Sequence, residues 1–217
     1  MEKVTEAGMV YYGVPSATSA GSLREWYDAG YSCVVLGEVP PPSWVNLFIN
    51  VKNDKYLGYP WAINEIMKVV FERADIMVVG SDDVYPSCSA DEMRRRYLSV
   101  FPDLDGIYEP SGGKSTSERQ LAIYPAVGRN FYKNYNCGNG IYDTSYRHFY
   151  ADQELAIVST KLGKMHQDDT LKYDHRHWSR TGQNRPAHMA RWKATASDDG
   201  DNFNRRRASD FNMVKWL

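Results

Sequence analysis

The chain has 217 residues, of which 42% are hydrophobic and 24% charged, with a net charge of -1. This balance suits a folded globular protein and argues against both disorder and membrane spanning. Apolar runs such as Ile76 to Val79 are far shorter than the ~20 residues of a bilayer span. The start, Met1-Glu2-Lys3-Val4-Thr5-Glu6, lacks the apolar stretch of a signal peptide, so a cytoplasmic location and no membrane partner are expected. Three widely spaced cysteines, Cys33, Cys88 and Cys137, fit neither a disulfide framework nor a zinc-site spacing and read as reduced thiols.

Short apolar runs alternate with helical patterns through the first third, which predicts an α/β fold with a mostly parallel sheet flanked by helices. Met9 to Val14 reads as a first strand ended by Pro15, and Ser19 to Ala29 as a helix with Leu23, Trp26 and Tyr27 at helical spacing, closed by Gly30. Ser32 to Leu36 is a second strand, Glu38 to Ser43 with its three prolines a loop, and Trp44 to Val51 a third strand. A longer helix is predicted from about Pro60 to Ala74, leading into a buried strand, Asp75 to Val84, that ends in two adjacent carboxylates, Asp82 and Asp83. In open α/β sheets ligands bind beyond the carboxyl ends of the strands, so this acidic pair stands where chemistry is expected.

A helix at Ala90 to Phe101 and a strand at Gly106 to Glu109 follow, then Ser111-Gly112-Gly113-Lys114-Ser115-Thr116. That stretch suggests a phosphate-binding loop, but the pattern needs a glycine where Tyr108 stands, and a nucleotide-triphosphatase is rejected. The last forty residues, rich in Asn, Arg, Asp and Gly around Ser197 to Arg207, read as an irregular extension wrapped on the same domain. Charge is unevenly spread. Residues 1–159 carry 14 Lys and Arg against 20 Asp and Glu, whereas residues 160–193 carry 8 against 3, a locally basic segment that could face a diphosphate or nucleic acid, or simply be solvated. Sixteen tyrosines and six tryptophans exceed the needs of a core this size and point to a sugar- or base-binding surface.

The run from Asn53 to Val84, with Ala62-Ile63-Asn64 early in its helix and Ser81-Asp82-Asp83 at the end of its strand, resembles the GT-A fold glycosyltransferases, which are nucleotide-sugar dependent. A second block strengthens the likeness: Tyr142-Asp143-Thr144-Ser145-Tyr146 through Tyr150-Ala151-Asp152-Gln153-Glu154-Leu155, then Asp174-His175-Arg176-His177-Trp178, is similar to their acidic catalytic motif and C-terminal metal-ligand histidine. The match spans roughly residues 8–178 and is closest to family-two-like, inverting members. One departure is that Ser81 stands at the first position of the DxD-type motif, so either Asp82 or Asp83 could be the principal metal ligand.

The resemblance implies a GT-A catalytic domain over residues 1–178 and a C-terminal extension over 179–217. It implies Mn²⁺ or Mg²⁺ held by Asp83, Asp82 and His175, since carboxylates suit these ions. Pro15, Ser16, Glu38, Asn64, Ser81 and Asp82 would contact a nucleotide-sugar donor, a UDP-sugar first among them. Asp152 would act as general base on an acceptor hydroxyl, with Glu154 next in line. Both acids also suit the N-terminal turn of a helix on dipole grounds alone. His177, Arg176, Arg180 and Trp178 would meet acceptor or phosphate, with Lys172 a further candidate; Trp61 and Tyr146 could stack on a sugar or serve the core. Compact enzymes of this kind resemble phage-encoded ones that glycosylate hydroxymethylated pyrimidines, or sugars already on them, in DNA. Competing readings are a glycan- or protein-directed glycosyltransferase, a nucleotidyltransferase, and a non-catalytic nucleic-acid-binding module using residues 160–193.

Overall fold

The computed structural model describes residues 8–16, 21–110, 121–176 and 193–215. Seven strands form one sheet: β1 (Val10–Pro15), β2 (Ser32–Gly37), β3 (Leu47–Asn50), β4 (Ile76–Val79), β6 (Ile107–Pro110), β7 (Ala126–Gly128) and β8 (Met165–Asp168), in the order β3-β2-β1-β4-β7-β6-β8. β1 pairs in parallel with β2 and β4, β2 with β3, and β6 with β8. Only β7 runs against its neighbours, β4 and β6, within this sheet. A second ladder pairs β5 (Val84–Tyr85) with β9 (Asp174–His175).

Side-chain alternation along the strands sends successive residues to opposite faces. Val10, Tyr12 and Val14 of β1 enter one apolar cluster with Trp26 from α1 (Leu23–Asp28) and Met93 and Tyr97 from α3 (Ala90–Val100). Tyr11, Met77 and Val79 enter the other, with Ile63, Ile66 and Met67 of α2 (Tyr59–Val70), Phe131 of α4 (Arg129–Asn134) and Leu155 of α5 (Ala151–Lys161). Both faces of the central strands are therefore buried, as a helix-flanked parallel sheet requires. α3 starts on a capping pair, the Ser89 hydroxyl accepting from the Glu92 N–H at 3.3 Å.

The structure shortens two expected strands and regularises the C-terminus. β3 begins at Leu47 rather than Trp44, because Val45 donates back to the Pro42 carbonyl and the Asn46 amide oxygen takes the Cys33 N–H at 2.8 Å. The acidic strand stops at Val79. There Gly80 lies against the Tyr12 ring, leaving no room for a β-carbon, and the Tyr12 hydroxyl both donates to the Ser81 carbonyl at 2.6 Å and accepts the Ser81 N–H at 3.0 Å. The chain turns at Asp82-Asp83 and starts the separate strand β5.

The expected irregular extension contains a helix, α6 (Ala196–Ala208). Its polar sequence carries little apolar periodicity; only Phe203 joins the core from it, and the helix is held instead by side-chain pairs described below. The segment Ser111 to Thr116 lies outside the described residues.

Candidate active site

The carboxyl edge of the sheet gathers most of the chemistry. β5 and β9 pair with Val84 opposite His175, and the Arg176 N–H donates to the Asp83 carbonyl at 2.9 Å. This short ladder carries a residue ninety-two positions away to the acidic turn. Asp83 Oδ2 and His175 Nε2 stand 3.3 Å apart, while Asp83 Oδ1 accepts the Ser81 hydroxyl at 2.6 Å. Tyr124, just before β7, places its hydroxyl 3.2 Å from the same His175 nitrogen. Beneath the turn, the Tyr59 hydroxyl donates to the Gly80 carbonyl at 3.0 Å and the Trp26 indole N–H to the Val84 carbonyl at 2.7 Å. The turn is thus fixed from below by three aromatic side chains, Tyr12, Tyr59 and Trp26.

Pro15 and Ser16 close β1, and the Ser16 N–H donates to the Leu36 carbonyl at 2.9 Å, keeping the ends of β1 and β2 together; Glu38, just past β2, is exposed. Asn64, expected among the donor contacts, is held by backbone. It is 1% exposed, its amide donates to the Tyr142 carbonyl at 2.7 Å, and its oxygen accepts the Ile141 and Tyr142 N–H groups at 3.1 and 3.2 Å. The early Ala-x-Asn element braces the loop that leads to α5.

Asp152 occupies the first turn of α5, half-buried, and burial pushes its carboxyl up to about 6 against the opposing effect of the Gln153 and Asp152 N–H groups. It follows Tyr150, a non-glycine residue held in the left-handed region at φ 70°, a conformation that persists only where surroundings enforce it. The surroundings are visible. Asp199 of α6, 2% exposed, accepts the N–H groups of Arg147, His148 and Phe149 at 2.9 Å each, and Phe203 packs its ring 5.2 Å from that of Tyr150.

Glu154, the alternative base, is spoken for. Arg206 of α6 grips it with two hydrogen bonds, 2.8 and 2.6 Å, while the Tyr146 hydroxyl donates to it at 2.7 Å and a third Arg206 nitrogen reaches Asp143 at 2.8 Å. Tyr146 is wholly buried, which assigns it to the core, and Trp61 packs edge-on against Tyr56. Arg176 is exposed, with its guanidinium 3.9 Å from the centre of the Tyr85 ring and paired to Asp174 at 2.6 Å; Lys172 is exposed as well. His177, Trp178 and Arg180 lie outside the described residues. Reasoning from sequence missed Tyr124 and Glu109; a carboxylate closing the strand Gly106 to Glu109 at the same sheet edge was the available signal for the latter.

No protein-family model matches the sequence, and no curated protein matches it. Among solved structures, S. aureus TarS superimposes with a TM-score of 0.55 at 10% identity, over 76% of this chain and 36% of TarS. The catalytic domain of Drosophila β1,4-galactosyltransferase 7, solved with xylobiose, gives 0.55 at 14% identity over 82% of this chain and 74% of that one. This is the GT-A fold. A third GT-A structure, Mycobacterium tuberculosis glucosyl-3-phosphoglycerate synthase in complex with Mn²⁺, UDP-glucose and phosphoglyceric acid, gives 0.52 at 11% identity over 84% and 74%. The chain thus spans about a third of the length of TarS, and 59% of a shorter TarS piece solved with UDP. Among the described residues no helix is long and apolar enough to cross a membrane.

Proposed function

We propose that this chain is a metal-dependent glycosyltransferase that moves a sugar from a UDP-sugar to an acceptor hydroxyl with inversion at the anomeric carbon. The observation that carries the reading is the Asp83–His175 pair at one end of the GT-A sheet edge with the half-buried Asp152 at the other. Asp83 and His175, brought within 3.3 Å of each other at the acidic turn, with Asp82 beside them, would hold Mn²⁺ or Mg²⁺, whose preference for carboxylate oxygen suits this donor set. Among the described residues no group of three His, Cys, Asp or Glu side chains forms a metal cage. A bound Mn²⁺ or Mg²⁺ supplies Lewis-acid neutralisation of the charge on the departing diphosphate.

In this reading residues 1–178 form the catalytic domain and 179–217 its brace. Pro15, Ser16, Glu38 and Ser81 contact the donor from the ends of β1, β2 and β4. Asp152 takes the proton of the acceptor hydroxyl as the hydroxyl oxygen bonds to the anomeric carbon. The bond from that carbon to the diphosphate breaks, and the nucleoside diphosphate leaves with the electron pair. A carboxyl with pKa about 6 is ionised at neutral pH yet more basic than a solvated one, as a base requires.

The acceptor is a hydroxymethylated pyrimidine in DNA, or a sugar already on it; the support is the basic balance of residues 160–193. The test is incubation with a panel of sugar nucleotides, Mn²⁺ or Mg²⁺, and hydroxymethylated or glucosylated DNA, read by nucleoside-diphosphate release and by mass spectrometry of the DNA. A hexose or pentose mass increment on DNA is expected. Absence of nucleoside-diphosphate release from every donor overturns the transferase, and labelling of a glycan or protein while DNA is ignored overturns the DNA acceptor alone.

A further inference from the structure

The backbone N–H groups of Arg147, His148 and Phe149 converge on one carboxylate, that of Asp199, at 2.9 Å each, and Asp199 is 2% exposed. Consecutive N–H groups turned toward one point form an anion-binding concavity, and here a side chain of the C-terminal helix α6 fills it. The clamped segment touches both parts of the candidate site. After it come Tyr150, held at φ 70°, and α5, which has no side-chain cap and carries Asp152 in its first turn. At its first residue the Arg147 carbonyl accepts the Tyr59 N–H at 3.1 Å and lies so close to Gly58 that no β-carbon fits there. The His148 ring stands 6.3 Å from that of Tyr59, whose hydroxyl donates to the Gly80 carbonyl beneath the acidic turn. Residues 147–149 therefore link the seat of Asp82-Asp83 to the start of the helix that bears Asp152.

We propose, on the glycosyltransferase reading above, that Asp199 is a positioning residue: by fixing residues 147–149 it sets the separation between the acidic turn that would hold the metal and the general base Asp152. It acts only through this backbone segment. Arg206, on the same helix, has a different task, since it grips Glu154 and Asp143 and so docks the helix rather than orienting the loop.

Without the Asp199 carboxylate the three N–H groups lose their common acceptor, and Tyr150 loses what keeps a non-glycine residue in the left-handed region. With no capping side chain to hold the entry of α5, both changes move Asp152 relative to Asp83, and a misplacement of about 1 Å is enough to cost ~10²-fold in rate. The concavity is also reachable. Asp199 forms part of the wall of a surface cavity of about 380 Å³, in which Arg147 and Arg205 stand against Asp198 and Asp201. Removing the Asp199 side chain therefore opens the three N–H groups to a small anion such as formate.

Two measurements test this. Amide hydrogen exchange at residues 147–149 is expected to be about ten- to a hundredfold faster in Asp199→Ala than in the parent, the worth of a hydrogen bond to a charged group, and to slow again in formate. Exchange equal to the parent's overturns the clamp without reference to turnover. Separately, nucleoside-diphosphate release is followed with the donor and DNA acceptor that the parent uses, on variants shown by circular dichroism to be folded at the assay temperature. Asp199→Ala is expected to lose about 10²-fold and to regain about tenfold of it in formate, while Asp199→Asn, which keeps one acceptor oxygen, falls between it and the parent. Arg206→Met, which loosens the same helix, is expected to gain nothing from formate. Unchanged turnover in Asp199→Ala, or equal recovery of Arg206→Met in formate, means that Asp199 only stabilises α6 and overturns the positioning role. If Asp199→Ala does not fold, Asp199→Asn carries the exchange and turnover measurements, and parent-like values in both overturn the role. Failure of the parent to release diphosphate from any donor overturns the transferase reading, and the positioning role with it, while the exchange result still reports the clamp.

Discussion

The two ends of the candidate site are built in different ways. The β1-to-β4 end is made from backbone: consecutive parallel strands deliver Pro15, Ser16, Glu38 and Ser81 to one edge, and the Asp82-Asp83 turn is seated on Tyr12, Tyr59 and Trp26. The Asp152 end is made from side chains distant in sequence. Its loop 143–150 has no strand to hold it and is tied by Asp199 to three backbone N–H groups, and its helix is tied by Arg206 to Glu154 and Asp143. A strand-end site is rigid as soon as the sheet forms, whereas the second site is rigid only once the C-terminal helix has docked. Substitutions should therefore fail differently at the two ends, chemistry alone at the first and chemistry together with stability at the second.

The largest expected effect is at the backbone-built end. Asp83→Asn keeps the size of the side chain and its contact with the Ser81 hydroxyl but removes the charge that would face the ion. Transfer is expected to fall by roughly 10³-fold, with thermal unfolding nearly unchanged. Full activity of the parent in excess chelator would contradict the metal assignment. Asp152→Asn comes next: loss of a general base should cost about 10²-fold or more in turnover while sugar-nucleotide affinity stays near the parent's, read by titration calorimetry alongside steady-state rates.

Arg206→Met probes the side-chain-built end through stability. Glu154 would be left buried without its charged partner, a change that typically costs about 3–5 kcal/mol, and denaturant titration should register it. The double variant Arg206→Met/Glu154→Gln should recover part of the loss, since no charge is then stranded. Equal destabilisation by the single and double variants would mean that packing around Tyr146, not the ion pair, holds α5.

This division also explains what the sequence could reveal. Strands with alternating buried residues, such as Val10 to Val14, and a helix with the spacing of Ala62, Ile66 and Val70 write their periodicity locally. The acidic turn is legible because a strand must end near it. Asn64 is singled out only by the family resemblance, and its backbone partners some 77 residues on are pairings that nothing local in the sequence records. Helix α6 is hidden by the same cause. Its helicity depends on Asp199 and Arg206 meeting partners on other elements, and its own composition of Asp, Asn and Arg suggests a turn-rich tail. The Asp83–His175 approach was suggested only by the family resemblance; the ladder of two residues that achieves it is too short to leave a pattern.

The smallest expected effect concerns the pH dependence of the Asp152 end, and it separates function from stability. The Asp152 carboxyl is raised in the fold from its ordinary 3.8 to about 6. Between these values the native chain binds more protons than the unfolded chain, so its stability falls as pH rises through that window and stays lower above it. Activity runs the opposite way, because the base must be ionised: turnover should rise on an acid limb centred near pH 6 and level off above. Asp152→Asn removes the buried charge while keeping the side chain's size and part of its hydrogen bonding. It is expected to unfold at a slightly higher temperature than the parent at pH 8, and to lose that advantage near pH 4, where the parent carboxyl is protonated too. Calorimetric scans at the two pH values check this. A parent and variant that differ equally at both would show that burial does not strain this carboxylate, and the base would then need another origin for its proton affinity.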